Sequence, residues 1–340
     1  MKKVPFLDYG EVLVTGGTGF LGRYVCRVMI SRGILPRLLV RTGSEERIPD
    51  DIRRSCRVTP GDVSNRESVR NAAQSTEAIV HLAGIIREDP ASGSTFEKVH
   101  VEGTRNAVLA AGEWGIRRFV HVSVLGAEPR DLSDYFDTKG RAEEIVRRSD
   151  RSWTIFRPGL IFGPGDRFVS ELRRSIVRAP VFPVPGTGEF PLQPVFAGDV
   201  AKGIVDCLSR PGTEGAAYDV AGPERFAYGE LVDRVAAAAG TRVRKVGIPL
   251  PAMRRMVRFL SRFRRFPLSP EMLAVLVAGH TCDPVPYYSV FNLNPLPLSS
   301  YLASMGGTDL SAAGDGDDAR RSTAAGKGAG KGETSSRKAA

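Results

Sequence analysis

Cysteine and histidine are scarce, with four of each in 340 residues. Cys26, Cys56, Cys207 and Cys282 lie far apart and form neither a CxxC pair nor a His/Cys cluster. That excludes a disulfide-stapled scaffold and implies a reducing, cytoplasmic setting with no metal site. No apolar run is long enough to span a bilayer, and Met1-Lys2-Lys3 leads into no signal-peptide core. A single dominant charge is missing as well. The formal charge is +10, but 48 Lys and Arg are dispersed among 38 Asp and Glu. Such a balance favours anionic ligands or surfaces and gives no reason to expect nucleic acid. What remains is an ordinary globular composition, 42% hydrophobic and 25% charged, with ample core for one large domain or two unequal ones. The stretch 306–340 has almost nothing to bury and reads as a disordered tail.

The most informative stretch is Glu11 to Arg23, EVLVTGGTGFLGR. A short apolar run breaks into Gly16, Gly17 and Gly19, Gly22 closes the pattern, and Leu21, Val25, Val28 and Met29 then recur at helical spacing. Strand, glycine turn and helix in this order are what a dinucleotide fold needs. Gly16 permits the tight turn, Gly19 lets a pyrophosphate approach the backbone, and Gly22 lets the helix pack closely on the strand. Gly16, Thr18, Gly19, Phe20, Leu21, Gly22 and Arg23 are therefore candidate cofactor residues, with the phosphates on the helix N-terminus.

Further strands are expected at Leu35–Val40, around Arg57–Thr59, at Ala78–Ala83, Arg118–Val124 and Trp153–Arg157, with a last short one at Ala217–Val220. Helices are expected between them, including a long one from Thr95 to Trp114. Ser64 with Glu67 reads as a capping box and Asp134 as a cap. The alternation predicts a doubly wound α/β parallel sheet over residues 8–160. A smaller carboxyl-terminal α/β domain is expected over 161–305, its elements interleaved with the first, after an irregular crossing at Pro180–Pro194.

Ligands in such sheets bind beyond the carboxyl ends of the strands, so the residues just after each strand matter most. Arg41 stands about 20 residues past the glycine turn, where an acid would bind the ribose of NAD. A cation there suits the 2′-phosphate of NADP, with Arg23 assisting, so NADP(H) is expected rather than NAD(H). Asp62, with Val63 beside it, can accept from the adenine amino group. Leu82, Ala83 and Gly84 leave room for a cofactor, and His81 reads as a buried structural histidine. Tyr135 and Lys139 fall one turn apart on a helix face. There the ammonium should lower the phenol from its usual pKa of about 10 and make it a proton donor or acceptor.

The TGGTGFLG turn, HLAG, VEGTRN and YFDTK together resemble the extended short-chain dehydrogenase/reductase superfamily. FRPG, FGPGDR and VFAGDVA agree. HVEGTRN, FVHVSVLGA and GPGDRF are similar to its atypical group, the NADPH-binding accessory subunit of respiratory complex I and its bacterial relatives. The resemblance implies catalysis through Tyr135 and Lys139, ribose contact by Lys139, and Pro158 facing the nicotinamide. Two features depart from the pattern. His100 replaces the usual asparagine, and Val124 and Leu125 stand where a catalytic hydroxyl normally follows the fifth strand, leaving Ser123 as the nearby substitute. The resemblance thus implies an oxidoreductase or epimerase-like enzyme acting on a small molecule, or a non-catalytic NADPH-binding subunit or assembly factor.

One stretch stands outside this pattern. In residues 251–267, Met253, Met256, Val257, Leu260 and Phe263 form an apolar stripe opposite Arg254, Arg255, Arg258, Arg262 and Arg265. Such a helix can lie peripherally on a membrane or dock on a respiratory-complex partner. Alternatively its stripe packs into the smaller domain's core.

Overall fold

The computed structural model describes residues 9–305, apart from 180, 264, 265 and 267. The expected tail at 306–340 lies outside the described residues. The first half alternates β1 (Glu11–Thr15), α1 (Phe20–Ser31), β2 (Leu35–Val40), α2 (Asp50–Arg53), β3 (Arg57–Pro60), α3 (Arg66–Ala73), β4 (Ala78–His81), α4 (Gly103–Glu113), β5 (Arg118–Val122), α5 (Asp134–Arg147) and β6 (Ser152–Pro158). There follow β7 (Ile161–Phe162), α6 (Phe168–Arg178), β8 (Val181–Pro185), β9 (Pro191–Leu192), β10 (Val195–Phe196), α7 (Ala197–Ser209) and β11 (Ala216–Val220). The chain continues through β12 (Phe226–Ala227), α8 (Tyr228–Ala238), β13 (Arg244–Ile248), α9 (Leu250–Leu260), α10 (Pro270–Ala278), α11 (Val285–Phe291) and α12 (Leu298–Met305).

Seven strands form one sheet in the order β11-β6-β5-β4-β1-β2-β3, and every neighbouring pair is parallel. The chain winds outward through β2 and β3, then returns to the other side of β1 at β4. The switch point lies between β1 and β4, and their carboxyl ends border the crevice where such sheets hold ligands. Both faces are covered. Val12, Val14, Val120 and Phe156 pack against Val25 and Met29 of α1 and Val200 and Ile204 of α7. Leu13, Ile79, Phe119 and Ile155 pack against Val69 of α3, Ala107 of α4 and Val146 of α5. Strands buried on both sides read as continuous apolar runs, which is why they were visible in the sequence.

The structure corrects several local expectations. The Pro180–Pro194 stretch is not irregular: β8 pairs in parallel with β13 and β9 pairs with β12. Its prolines are tolerated because each of these strands has only one partner, so one edge needs no N–H donors. Asn65, not Ser64, caps α3, accepting from Ser68 N at 2.8 Å, while Ser64 Oγ turns back to Asp62 Oδ1 at 2.7 Å. Ser133 is the cap position of α5 and Asp134 its first residue. The long helix expected from Thr95 is a π-helical turn, Glu97–Glu102, leading into α4. His100 lies within that turn and is buried.

Candidate active site

The glycine turn behaves as its pattern predicts. Gly16 has φ 72°, which only glycine adopts freely. A Cβ on Gly22 would run into the Gly16 carbonyl oxygen and stand 2.7 Å from Gly17 Cα, so helix and turn pack closely through its missing side chain. Gly19 is the N-cap of α1. A Cβ there would meet only Gly16 O, at 3.1 Å, with open space beyond. Arg23 is folded back on the loop, donating from Nε to Thr18 O at 3.3 Å. Arg41 is exposed just past β2. Asp62 accepts from Ser64 N at 2.8 Å, and Val63 O accepts from Asn106 Nδ2 at 2.9 Å, so both sit on an ordered turn after β3.

A polar row runs under the carboxyl edge of the sheet. Thr15, His81 and His121 are register partners on β1, β4 and β5. His81 is fully buried between Thr15 Oγ1, at 2.8 Å from Nδ1, and Thr104 Oγ1, at 3.2 Å from Nε2. Burial, with the Lys139 charge adding to it, pushes His81 down to about 3, which keeps it neutral and structural. His121 stacks on it with ring centroids 5.5 Å apart.

His100 acts as a clamp. Thr138 Oγ1 has one proton, which goes to Asp134 O at 2.6 Å. With that proton so placed, it accepts from His100 Nδ1, 3.0 Å away. Nε2 lies 3.1 Å from Ile85 N, whose N–H it accepts in that tautomer, and 3.0 Å from Ile85 O, to which it would donate in the other. In either tautomer His100 ties the loop after β4 to α5. Burial and then the Lys139 charge push it down to about 2, so it carries no proton at neutral pH.

Lys139 is 5% exposed and donates from Nζ to Val122 O at 2.8 Å. Burial pushes it down to about 8, against a smaller upward pull from Glu143. Glu143 is itself held by Arg157, with Nη2 to Oε2 at 2.6 Å, and Arg157 reaches Asp219 at 3.6 Å. Tyr135, one turn before Lys139, is half-buried against Phe96, His100 and Phe136. Its phenol is pushed up to about 12, and burial is the cause. The expected lowering by Lys139 is not found: removal from water dominates, and the ammonium is turned onto a backbone oxygen. Ser123 is buried, and among the described residues its Oγ has no hydrogen-bond partner. Pro158 ends β6 and accepts from Leu125 N at 3.0 Å.

These residues fit a dinucleotide. A Cβ on Gly84 would stand 3.7 Å from His100 Nε2 and 3.8 Å from Lys139 Nζ, filling the space in front of the ammonium. Leu82 and Ala83 lead into that space from the end of β4, while Ser123 offers an unpaired buried hydroxyl at the end of β5. The far wall is apolar. Val124, Ala127 and Phe136 cluster with Tyr135 and with Val275 of α10, and the His280 ring packs on Phe136 at 5.1 Å. The contributions of Thr138, Val275 and His280 were missed in the sequence. Thr138 alone left a signal there, as a hydroxyl inside the Tyr-to-Lys turn that can bond back to residue i−4.

A seven-stranded parallel sheet with a glycine cradle at its switch point defines a dinucleotide-binding protein of the Rossmann class. The chain belongs to the NAD(P)H-binding family, whose model matches residues 16–211. It is 37% identical over 175 residues to the ceramide reductase of Caulobacter vibrioides, covering 52% of this chain and 54% of that protein. The mitochondrial NADH dehydrogenase (ubiquinone) 1 alpha subcomplex subunit 9 of Rattus norvegicus is 30% identical over 263 residues, covering 76% of this chain and 67% of that one. Among solved structures, the UDP-glucuronic acid 4-epimerase of Bacillus cereus in complex with UDP-glucuronic acid and NAD superposes with a TM-score of 0.68. It is 16% identical and covers 87% of this chain and 98% of that one, which shows a shared fold.

Proposed function

We propose that the protein is an NADP(H)-dependent oxidoreductase acting at a carbon that bears oxygen, with Tyr135 moving the proton. The observation that carries this reading is the state of Lys139. A buried ammonium in a purely structural role would face a carboxylate. Lys139 instead gives one hydrogen bond to Val122 O and, among the described residues, makes no ion pair. Two of its three donors are left for a ligand beside Gly84. When bound, the cofactor supplies the carbon that gives or takes the hydride. Lys139 would hold the ribose hydroxyls and keep positive charge beside the phenol, while Ser123 Oγ would bind the substrate oxygen. Tyr135 is protonated at neutral pH, as an ordinary phenol is, and with its phenol pushed up to about 12 by burial it needs the cofactor and substrate in place to become a working acid. The likeness to a ceramide reductase supports the reducing direction. The arginine after β2, together with Arg23 at the glycine loop, supports NADP(H) over NAD(H). The apolar wall of Val124, Phe136 and Val275 suits a substrate with a hydrocarbon body.

One observation favours a second reading, a non-catalytic NADPH-binding subunit or assembly factor of a respiratory complex. Buried, apolar Val124 and Leu125 occupy the place where the resembled enzymes carry a catalytic hydroxyl. Relatives named as subunits of NADH dehydrogenase support it. The two readings separate on presenting the NADPH-loaded protein to a panel of long-chain and sugar ketones. The parent should consume the reduced cofactor with one class of them. Tyr135→Phe should bind NADPH with unchanged affinity and lose at least 100-fold in rate, in keeping with general acid catalysis. Tight binding without turnover on any ketone would establish the second reading, and full turnover by Tyr135→Phe would remove Tyr135 from the mechanism.

A further inference from the structure

The structure divides the apolar stripe of residues 251–267. Met253 and Val257 are buried against Leu273 of α10, as core packing requires. Leu260 is half-buried, but Phe263 is 58% exposed, and Phe259, outside the stripe, is 59% exposed. The two rings pack edge to face, 6.1 Å apart, at the carboxyl end of α9. Arg254, Arg255, Arg258 and Arg262, on the same segment, are all exposed. Among the described residues none of the four meets a carboxylate. Between Leu250 and Phe266 the sequence holds six arginines and no acidic residue.

We infer that this helix end docks on an anionic lipid bilayer. Two exposed phenylalanine rings on a segment with several exposed arginines and no acidic residue combine apolar anchors with charge of one sign. They suit a planar interface, where aromatic rings enter the headgroup boundary and arginines extend along it to reach phosphates. The positive charge matches the anionic surface, and nothing acidic in the segment opposes it. The inner side of α9 is fixed to α10 through Met253, Val257 and Leu273. Two contacts join it to the candidate active site. Val275 of α10 packs in the cluster that contains Tyr135. Arg87, in the loop after β4, donates to Ser261 O at 2.6 Å and to Phe266 O at 3.3 Å. That loop also exposes Ile86, at 42%. The inference does not depend on turnover, because the surface is complete without a reaction.

Flotation of the full chain with phosphatidylcholine vesicles, with and without a phosphatidylglycerol fraction, tests it. The parent should float with the anionic vesicles at low salt, separate from them at high salt, and leave the neutral ones largely alone. Replacing Arg254, Arg255 and Arg258 by Gln should weaken partitioning about 100-fold, at roughly 1 kcal/mol per basic residue and 1.4 kcal/mol per tenfold. Phe259→Ser with Phe263→Ser should also weaken it without lowering the melting temperature, because both rings are already exposed. A parent that stays in solution with anionic vesicles at low salt overturns the inference. So does an arginine variant that floats like the parent, or binding to an acidic polypeptide without binding to vesicles.

Discussion

Lys139 gives a prediction that needs neither cofactor nor substrate. Its ammonium sits in a dry site, pushed from 10.5 to about 8 by burial. At neutral pH it is charged in both folded and unfolded chains, so folding carries the desolvation penalty. As pH rises past about 8 the folded protein releases this proton first, while the unfolded chain holds it until about 10.5. The unfolded state then binds more protons, so this group makes stability rise with pH over that window. At 1.36 kcal/mol per pH unit the gain is about 3 kcal/mol. The perturbation is Lys139→Met, which keeps the volume and removes the titration. Urea unfolding midpoints of parent and variant, measured in parallel from pH 7 to pH 10.5, isolate the effect, because other titrating groups cancel in the difference. His81, His100 and His121 surround the ammonium but are all pushed below their usual range, so they stay neutral throughout. The parent should gain about 3 kcal/mol on the variant across the window. A difference that stays flat would mean that the ammonium is well solvated, and the reasoning about a charge held ready for a ligand would fail.

Two further outcomes follow from the cradle. Gly22→Ala places a methyl against the Gly16 carbonyl and Gly17 backbone, which cannot yield as a side chain can; it should destabilise by about 1–3 kcal/mol and abolish dinucleotide binding, as thermal unfolding and fluorescence titration would show. Arg41→Ala should erase most of an NADPH-over-NADH preference while leaving NADH affinity unchanged, and equal affinities in the parent would exclude Arg41 as the reader of the 2′-phosphate.

Much of the sheet could be read in advance because its inner strands are short, largely apolar and end in small or polar residues. Leu35–Val40 and the glycine turn needed no tertiary information. What could not be read depended on partners remote in sequence. β8 is a strand because residues 244–248 lie beside it, and a run containing two prolines gives no local sign of that. The phenol of Tyr135 was expected to fall and instead rises. Its direction depends on how deeply α5 is covered and on Lys139 pointing to Val122 O, neither of which is a property of the Tyr-to-Lys spacing. Phe263 follows the helical period of the stripe, yet α9 ends at Leu260, and beyond that point the period no longer predicts direction.

The position of β11 bears on how the chain is made. The sheet that carries the cradle is not closed by the first 160 residues, since its outer strand is Ala216–Val220. Arg118 shares this dependence. Its buried guanidinium donates two of its hydrogen bonds to the returning segment, to Cys207 O at 2.6 Å and Thr213 Oγ1 at 3.2 Å. During synthesis β6 leaves the ribosome with an open edge, and roughly 60 residues must follow before its partner arrives. At about 5–20 residues per second that is an interval of several seconds. Through it the growing chain displays an unpaired strand and a cation that lacks part of its oxygen shell. An exposed edge of this kind invites pairing with other chains, so the yield of folded protein should depend on how quickly translation crosses residues 159–220.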